Sequence, residues 1–125
     1  MRALGRLEYL YVGSADVEKD LAYYQDVLGA EVVWDFREFG TRVAGLRLLG
    51  ERPMVLIAGH RHAPSVLPVF AVDDLDAAER ELRTRGWEPA GERFGIPDGD
   101  CLLFRDPTGN EWAMYEDSRP HALER

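Results

Sequence analysis

The sequence predicts an α+β fold of two tandem β-α-β-β-β modules, and three observations carry that prediction. A run of strand formers at residues 7–12 leads into a helical pattern and then into three further strand-like runs, and the same order returns from Val66. Each helical pattern opens on a capping aspartate, Asp16 or Asp74, and stops at a glycine, Gly29 or Gly86. At 125 residues and 46% hydrophobic, the chain is long enough to bury one core, so residues 1–125 read as a single domain. Module one covers about residues 5–59, a linker 60–65, module two about 66–117, and a polar tail 118–125.

In module one, Leu-Glu-Tyr-Leu-Tyr-Val at residues 7–12 ends at Gly13-Ser14. Val17, Leu21, Tyr24 and Leu28 then recur at helical spacing and should form one apolar face that packs on a sheet. Residues 31–38 alternate around Val32, Trp34 and Phe36, residues 41–49 follow Gly40, and residues 53–58 follow Gly50-Glu51. Short turns between them make a meander. The segment from Gly59 to Ser65 has turn residues and no apolar period, as a linker should.

Module two starts with an apolar strand at residues 66–72. Leu75, Ala78 and Leu82 trace a helical face after the Asp73-Asp74 cap. Three strands are expected at residues 87–94, 99–105 and 110–116, with Gly95-Ile96-Pro97-Asp98 as a turn. A short internal repeat of this kind means that one unit cannot complete its core alone. Between the last two strands lies Asp106-Pro107-Thr108-Gly109-Asn110, where proline fixes φ and Gly109-Asn110 tolerate positive φ, the makings of a tight hairpin.

Composition excludes several functions. Fifteen basic against 23 acidic residues give a net charge of −8, which repels nucleic-acid backbones and anionic lipid and favours a cationic ligand. Cys101 is the only cysteine, which rules out an internal disulfide and a cysteine-based zinc site. No stretch reaches the roughly 18 apolar residues of a membrane span, and the start of the chain lacks a signal-peptide core, so a cytoplasmic protein is expected. Ser14, Ser65 and Ser118 lie in no nucleophile elbow, and there is no glycine-rich phosphate loop.

The module order, the first helix with Tyr23-Tyr24 ahead of Leu28-Gly29, and the closing Asp-Pro-x-Gly-Asn hairpin resemble the vicinal oxygen chelate superfamily. That is the group of glyoxalase I, extradiol dioxygenases, and fosfomycin- and bleomycin-resistance proteins. The resemblance covers about residues 7–116. It implies that the curved sheets form an open cup with the helices outside, and that chains or modules pair, so a homodimer is expected. In metal-dependent members, His, Gln or Glu side chains on four strands hold a divalent ion that acts as a Lewis acid. Carried over by position, those ligands fall on Leu7, on about Leu56 to Ala58, on Leu67 and on Ala113. None of these side chains can bind a cation, so the expectation is no metal and no other cofactor.

Other donors lie near these positions. A one-residue shift in strand one would bring Glu8 to the ligand position, but alternation places Leu7, Tyr9 and Tyr11 on the cup side and Glu8 on the other. His60 and His62 follow strand four in a loop and read as exposed, with His60 near the rim of the cup. His121 lies in the tail. Glu111, at the pocket end of the last strand, is an example of a candidate general base.

Strand parity lines the cup of module one with Tyr9 and Tyr11, with Trp34, Phe36, Phe39 and Arg47 nearby, and module two adds Ala113 and Tyr115. The expected ligand-binding set is therefore Tyr9, Tyr11, Trp34, Phe36, Arg47, His60, Ala113 and Tyr115. Trp34, Trp87, Trp112 and Phe104 also read simply as core. Two functions remain open. One is a metal-free small-molecule-binding protein of the bleomycin-resistance kind, holding an aromatic or cationic ligand. The alternative is a divergent glyoxalase-like lyase, isomerase or dioxygenase. It would use a divalent metal at Glu8, His60 or His62, or no metal and an acid such as Glu111.

Overall fold

Both repeats form as expected, and in each a helix covers one face of a four-stranded sheet. The structure, a computed structural model, describes residues 5–38, 40–48, 50–96 and 99–117. Phe39, Leu49, the Pro97-Asp98 part of the second turn, and the tail with His121 lie outside them. Among the described residues two compact units emerge, one of Glu8–Leu67 and the other of residues 68–117 with residues 5–7.

In the Glu8–Leu67 unit the strands are β1 (Arg6–Gly13), β2 (Glu31–Glu38), β3 (Thr41–Arg47) and β4 (Met54–Ala58), lying in the order β2-β3-β4-β1. The meander pairs antiparallel, while β1 joins β4 in parallel, as a strand followed by a crossover helix must. Helix α1 (Val17–Ala22) lays Val17 and Leu21 on Ala44, Leu46, Val55 and Ile57, with Val12, Tyr24 and Val32 packed around them. The cap is the expected one, since Asp16 accepts a hydrogen bond from the Lys19 amide at 3.1 Å. Buried Ser14 braces the same turn, donating to Asp20 at 2.5 Å and accepting from the Asp16 amide at 3.2 Å.

The helical face stops earlier than its spacing suggests. After Ala22 the chain widens into a π turn, Tyr23–Val27, with the Leu28 amide donating to the Tyr23 carbonyl at 3.3 Å. One extra residue in that turn rotates the next side chain off the apolar stripe. Leu28, expected in the core, is 45% exposed as a result.

In the other unit, β5 (Val66–Val72), β6 (Phe94–Ile96), β7 (Gly99–Arg105) and β8 (Glu111–Asp117) lie in the order β5-β8-β7-β6. Helix α2 (Leu75–Arg83) sets Leu75 and Ala78 on Val72, Leu102 and Met114, with Phe70, Leu82, Trp87 and Phe104 around them. Its amino end is held twice: Asp74 accepts from the Ala77 amide at 3.0 Å, and Glu116 of β8 accepts from the Leu75 amide at 2.9 Å. Acidic groups suit that end of a helix dipole.

The strand expected at residues 87–94 does not form before Phe94. Pro89 has no amide to offer a ladder, and although the Ala90 amide still donates to the Leu103 carbonyl of β7 at 2.8 Å, side chains fix much of the segment. Trp87 packs edge-on against Phe104 with centroids 5.7 Å apart, and Arg93 bonds Asp76 at 2.7 Å and Glu79 at 3.2 Å on α2. The hairpin before β8 does form. Asp106 accepts from the amides of Thr108, Gly109 and Asn110 at 3.1, 3.0 and 2.9 Å, and Gly109 takes φ +104°.

Candidate functional site

A sheet with a helix on one face leaves the other face for function, and in the Glu8–Leu67 unit strand register names its residues. Three rows run across the unit. The first joins Phe36, Val43, Ala58 and Gly13, and the second joins Trp34, Gly45, Leu56 and Tyr11. At the third level Glu31 stands opposite Arg47 on β2 and β3, and Met54 opposite Tyr9 on β4 and β1. Val32, Ala44, Leu46, Val55, Ile57 and Val12 take the opposite face under α1. The expected parity of β1 is thus the observed one.

Six of the eight expected ligand-binding residues, Tyr9, Tyr11, Trp34, Phe36, Arg47 and His60, belong to this unit, on or beside this helix-free face. Tyr9 is buried at 8% exposure, while Tyr11, Trp34 and Phe36 are half-buried. The loop after β4 folds back on Tyr11. His60 meets its ring edge-on at 5.8 Å, and the Arg61 guanidinium lies 5.9 Å over it. Burial, then the neighbouring Arg61 charge, pushes the His60 imidazole below its usual pKa, which favours the neutral ring. His62 is exposed.

Arg47, expected as a buried cation, is half-buried and paired: Glu31 lies at 2.8 Å and Glu51 at 3.6 Å. Trp34, which also reads as core, is not under α1. It lies on the helix-free face against Gly45. Gly45 and Arg61 are the two residues here that sequence reasoning passed over. A glycine inside a strand pattern was the available signal for the first; nothing in a polar loop marked the second.

The other two members, Ala113 and Tyr115, are on β8 in the second unit, on the face away from α2. There Ala113 pairs with Val69 and Leu103, and Tyr115 with Ala71 and Cys101. Ala113 is 0% and Tyr115 1% exposed, so both are sealed in packing. Glu111, the candidate base, pairs with Arg105 at 3.0 Å.

The positions that the resemblance assigns to metal ligands do not fit a metal. Leu56, Ala58, Leu67 and Ala113 are 5, 0, 4 and 0% exposed, and none carries a donor atom on its side chain. Glu8, the alternative donor, is engaged elsewhere: it is 2% exposed and forms an ion pair with Arg52. Among the described residues there is no group of three or more His, Cys, Asp or Glu side chains placed to hold a metal ion. No helix among them is long and apolar enough to cross a membrane.

Comparison with known proteins agrees with this architecture. Methylmalonyl-CoA epimerase from Mycobacterium tuberculosis superposes with a TM-score of 0.78 at 20% identity, over 94% of this chain and 91% of that one. A single-substitution variant of methylmalonyl-CoA epimerase from Streptomyces coelicolor, solved in complex with 2-nitronate-propionyl-CoA, gives 0.69 at 17% identity, over 92% and 99%. A glyoxalase/bleomycin resistance protein/dioxygenase superfamily member from Vibrio splendidus 12B01 gives 0.66 at 18% identity, over 90% and 98%. These likenesses are of fold. No curated protein matches the sequence. The sequence model of the Glyoxalase/Bleomycin resistance protein/Dioxygenase superfamily matches residues 6–114, and the chain belongs to that superfamily.

Proposed function

We propose that this protein binds a small aromatic or cationic molecule without a metal ion, on the helix-free face that carries Tyr11, Trp34, Phe36 and Arg47. The observation that supports this most is the donor chemistry: at the positions that the family resemblance assigns to metal ligands, this chain has leucine and alanine side chains buried in strands. Half-buried aromatic rings offer stacking area, and a net charge of −8 draws cations towards the surface. The protein would act in the cytoplasm as a homodimer, with no other cofactor.

Elemental analysis of protein purified without chelator tests this reading. The expected result is less than a stoichiometric trace of zinc, nickel, iron or manganese. Stoichiometric metal that is lost in Glu8→Ala or His60→Ala would overturn it and establish the second reading, a glyoxalase-like enzyme with a divalent ion at non-standard donors. The fold shared with methylmalonyl-CoA epimerases favours that second reading. Its candidate donor Glu8 would have to leave Arg52, which weighs against it. Sedimentation at micromolar concentration tests the dimer, and a monomer there would contradict it.

A further inference from the structure

Two local irregularities are needed to place one indole. With regular pairing Trp34 would share a face with Val32, which packs under α1. The β2–β3 register shifts between Val32 and Trp34 instead, so one extra residue turns Trp34 to the helix-free face. There it stands directly across from Gly45. A Cβ at position 45 would fall 2.7 Å from Trp34 Cζ2 and 2.8 Å from Nε1, so the indole rests on bare strand backbone. Only glycine permits that approach.

The same row continues through Leu56 to Tyr11, giving an aromatic ring at each end. At the next level Glu31 stands opposite Arg47, and Glu51 of the following turn reaches the same guanidinium; the two carboxylates, 68% and 77% exposed, outnumber the one guanidinium in that trio. A ring lying flat offers its electron-rich face, which attracts cations, while a ring standing on edge offers its positive rim.

We propose that Trp34, laid flat on Gly45, is a stacking shelf for a planar cationic ring, and that Gly45 sets this specificity by keeping the indole down. The assignment rests on the reading that this face binds a small molecule. Any side chain at position 45 lifts the indole and turns its edge to the ligand. Glu31 and Glu51 supply the counter-charge for the cation.

Fluorescence titration with proflavine, a planar cation, and calorimetric titration with cyclohexylammonium, a non-planar one, test the shelf on the full chain. The wild-type chain should bind proflavine about tenfold or more tighter than cyclohexylammonium. Trp34→Ala and Gly45→Ala should each lower proflavine affinity about tenfold and leave cyclohexylammonium within about twofold. Because a Cβ at position 45 can also disturb the sheet, the double variant Gly45→Ala, Trp34→Ala serves as the control for Gly45→Ala. With the indole gone it should fold as well as Trp34→Ala and still bind proflavine weakly. Wild-type protein with no preference for the planar cation overturns the shelf, as do variants that bind proflavine as tightly as wild type. Those results leave the metal-free reading standing, because that reading falls on metal content instead.

Discussion

Glu8 on β1 and Arg52 in the turn before β4 form an ion pair in which the carboxylate side chain is 3% exposed and the guanidinium 34%. Burying one charge so much more deeply than its partner makes the two deletions unequal. Arg52→Ala leaves a buried carboxylate short of its counter-ion and should cost about 3 kcal/mol. Glu8→Gln leaves an exposed cation that water can solvate and should cost about 1 kcal/mol. Urea unfolding of the two variants checks the order, and equal costs would contradict it.

Asp35 stands between two arginines on β2 and β3, with Arg42 at 3.0 Å and Arg37 at 3.1 Å. The hydrogen bond from Arg42, joined by that from Arg37, holds its carboxyl below the usual range against the opposing effect of burial. A lowered folded pKa adds stability that is present above the unfolded value of about 3.9 and is lost as pH falls through the folded value. Asp35→Asn should therefore lower stability by about 0.5 kcal/mol at neutral pH, the scale of an exposed pair. The difference should vanish in strong acid, and urea midpoints at several pH values measure it.

His60 gives a pH effect of the same sign by a different route. Its folded pKa lies below the usual value because burial, and then Arg61, disfavour the imidazolium. Stability therefore falls as pH drops below the unfolded value of about 6.5, where the unfolded chain takes up the proton first. An NMR titration of the imidazole should show a midpoint under that value. Arg61→Gln should raise the midpoint only in part, since burial is the larger cause.

Gly109 holds the hairpin before β8 at φ +104°, where a Cβ would meet no other group, so only backbone strain opposes substitution. Gly109→Ala should cost about 1–2 kcal/mol, the penalty of left-handed backbone for an L-residue. Gly91 also has open space around it, without positive φ, and Gly91→Ala should cost less. Thermal unfolding of the pair separates strain from packing.

Much of this architecture was legible in the chain because its signals are local. Asp16 and Asp74 cap their helices through amides three residues on, and Asp106 closes its hairpin within four residues. The parity of β1 could also be read, since Tyr9 and Tyr11 alternate with Val12 and its neighbours without interruption. The segment before Phe94 differs from its pattern because Trp87 and Arg93 find their partners on Phe104 and on α2, contacts that no local pattern announces.

The sequence by itself determined the two β-α-β-β-β repeats, their caps and turns, and the leucine and alanine side chains at the positions that the resemblance assigns to metal ligands. Only the tertiary structure decided where Trp34 faces. Val32, Val33 and Trp34 are all apolar, so a one-residue register shift leaves no mark in the hydrophobic pattern. The pairing of β2 with β3, and the bare backbone of Gly45 across from the indole, settle the face instead.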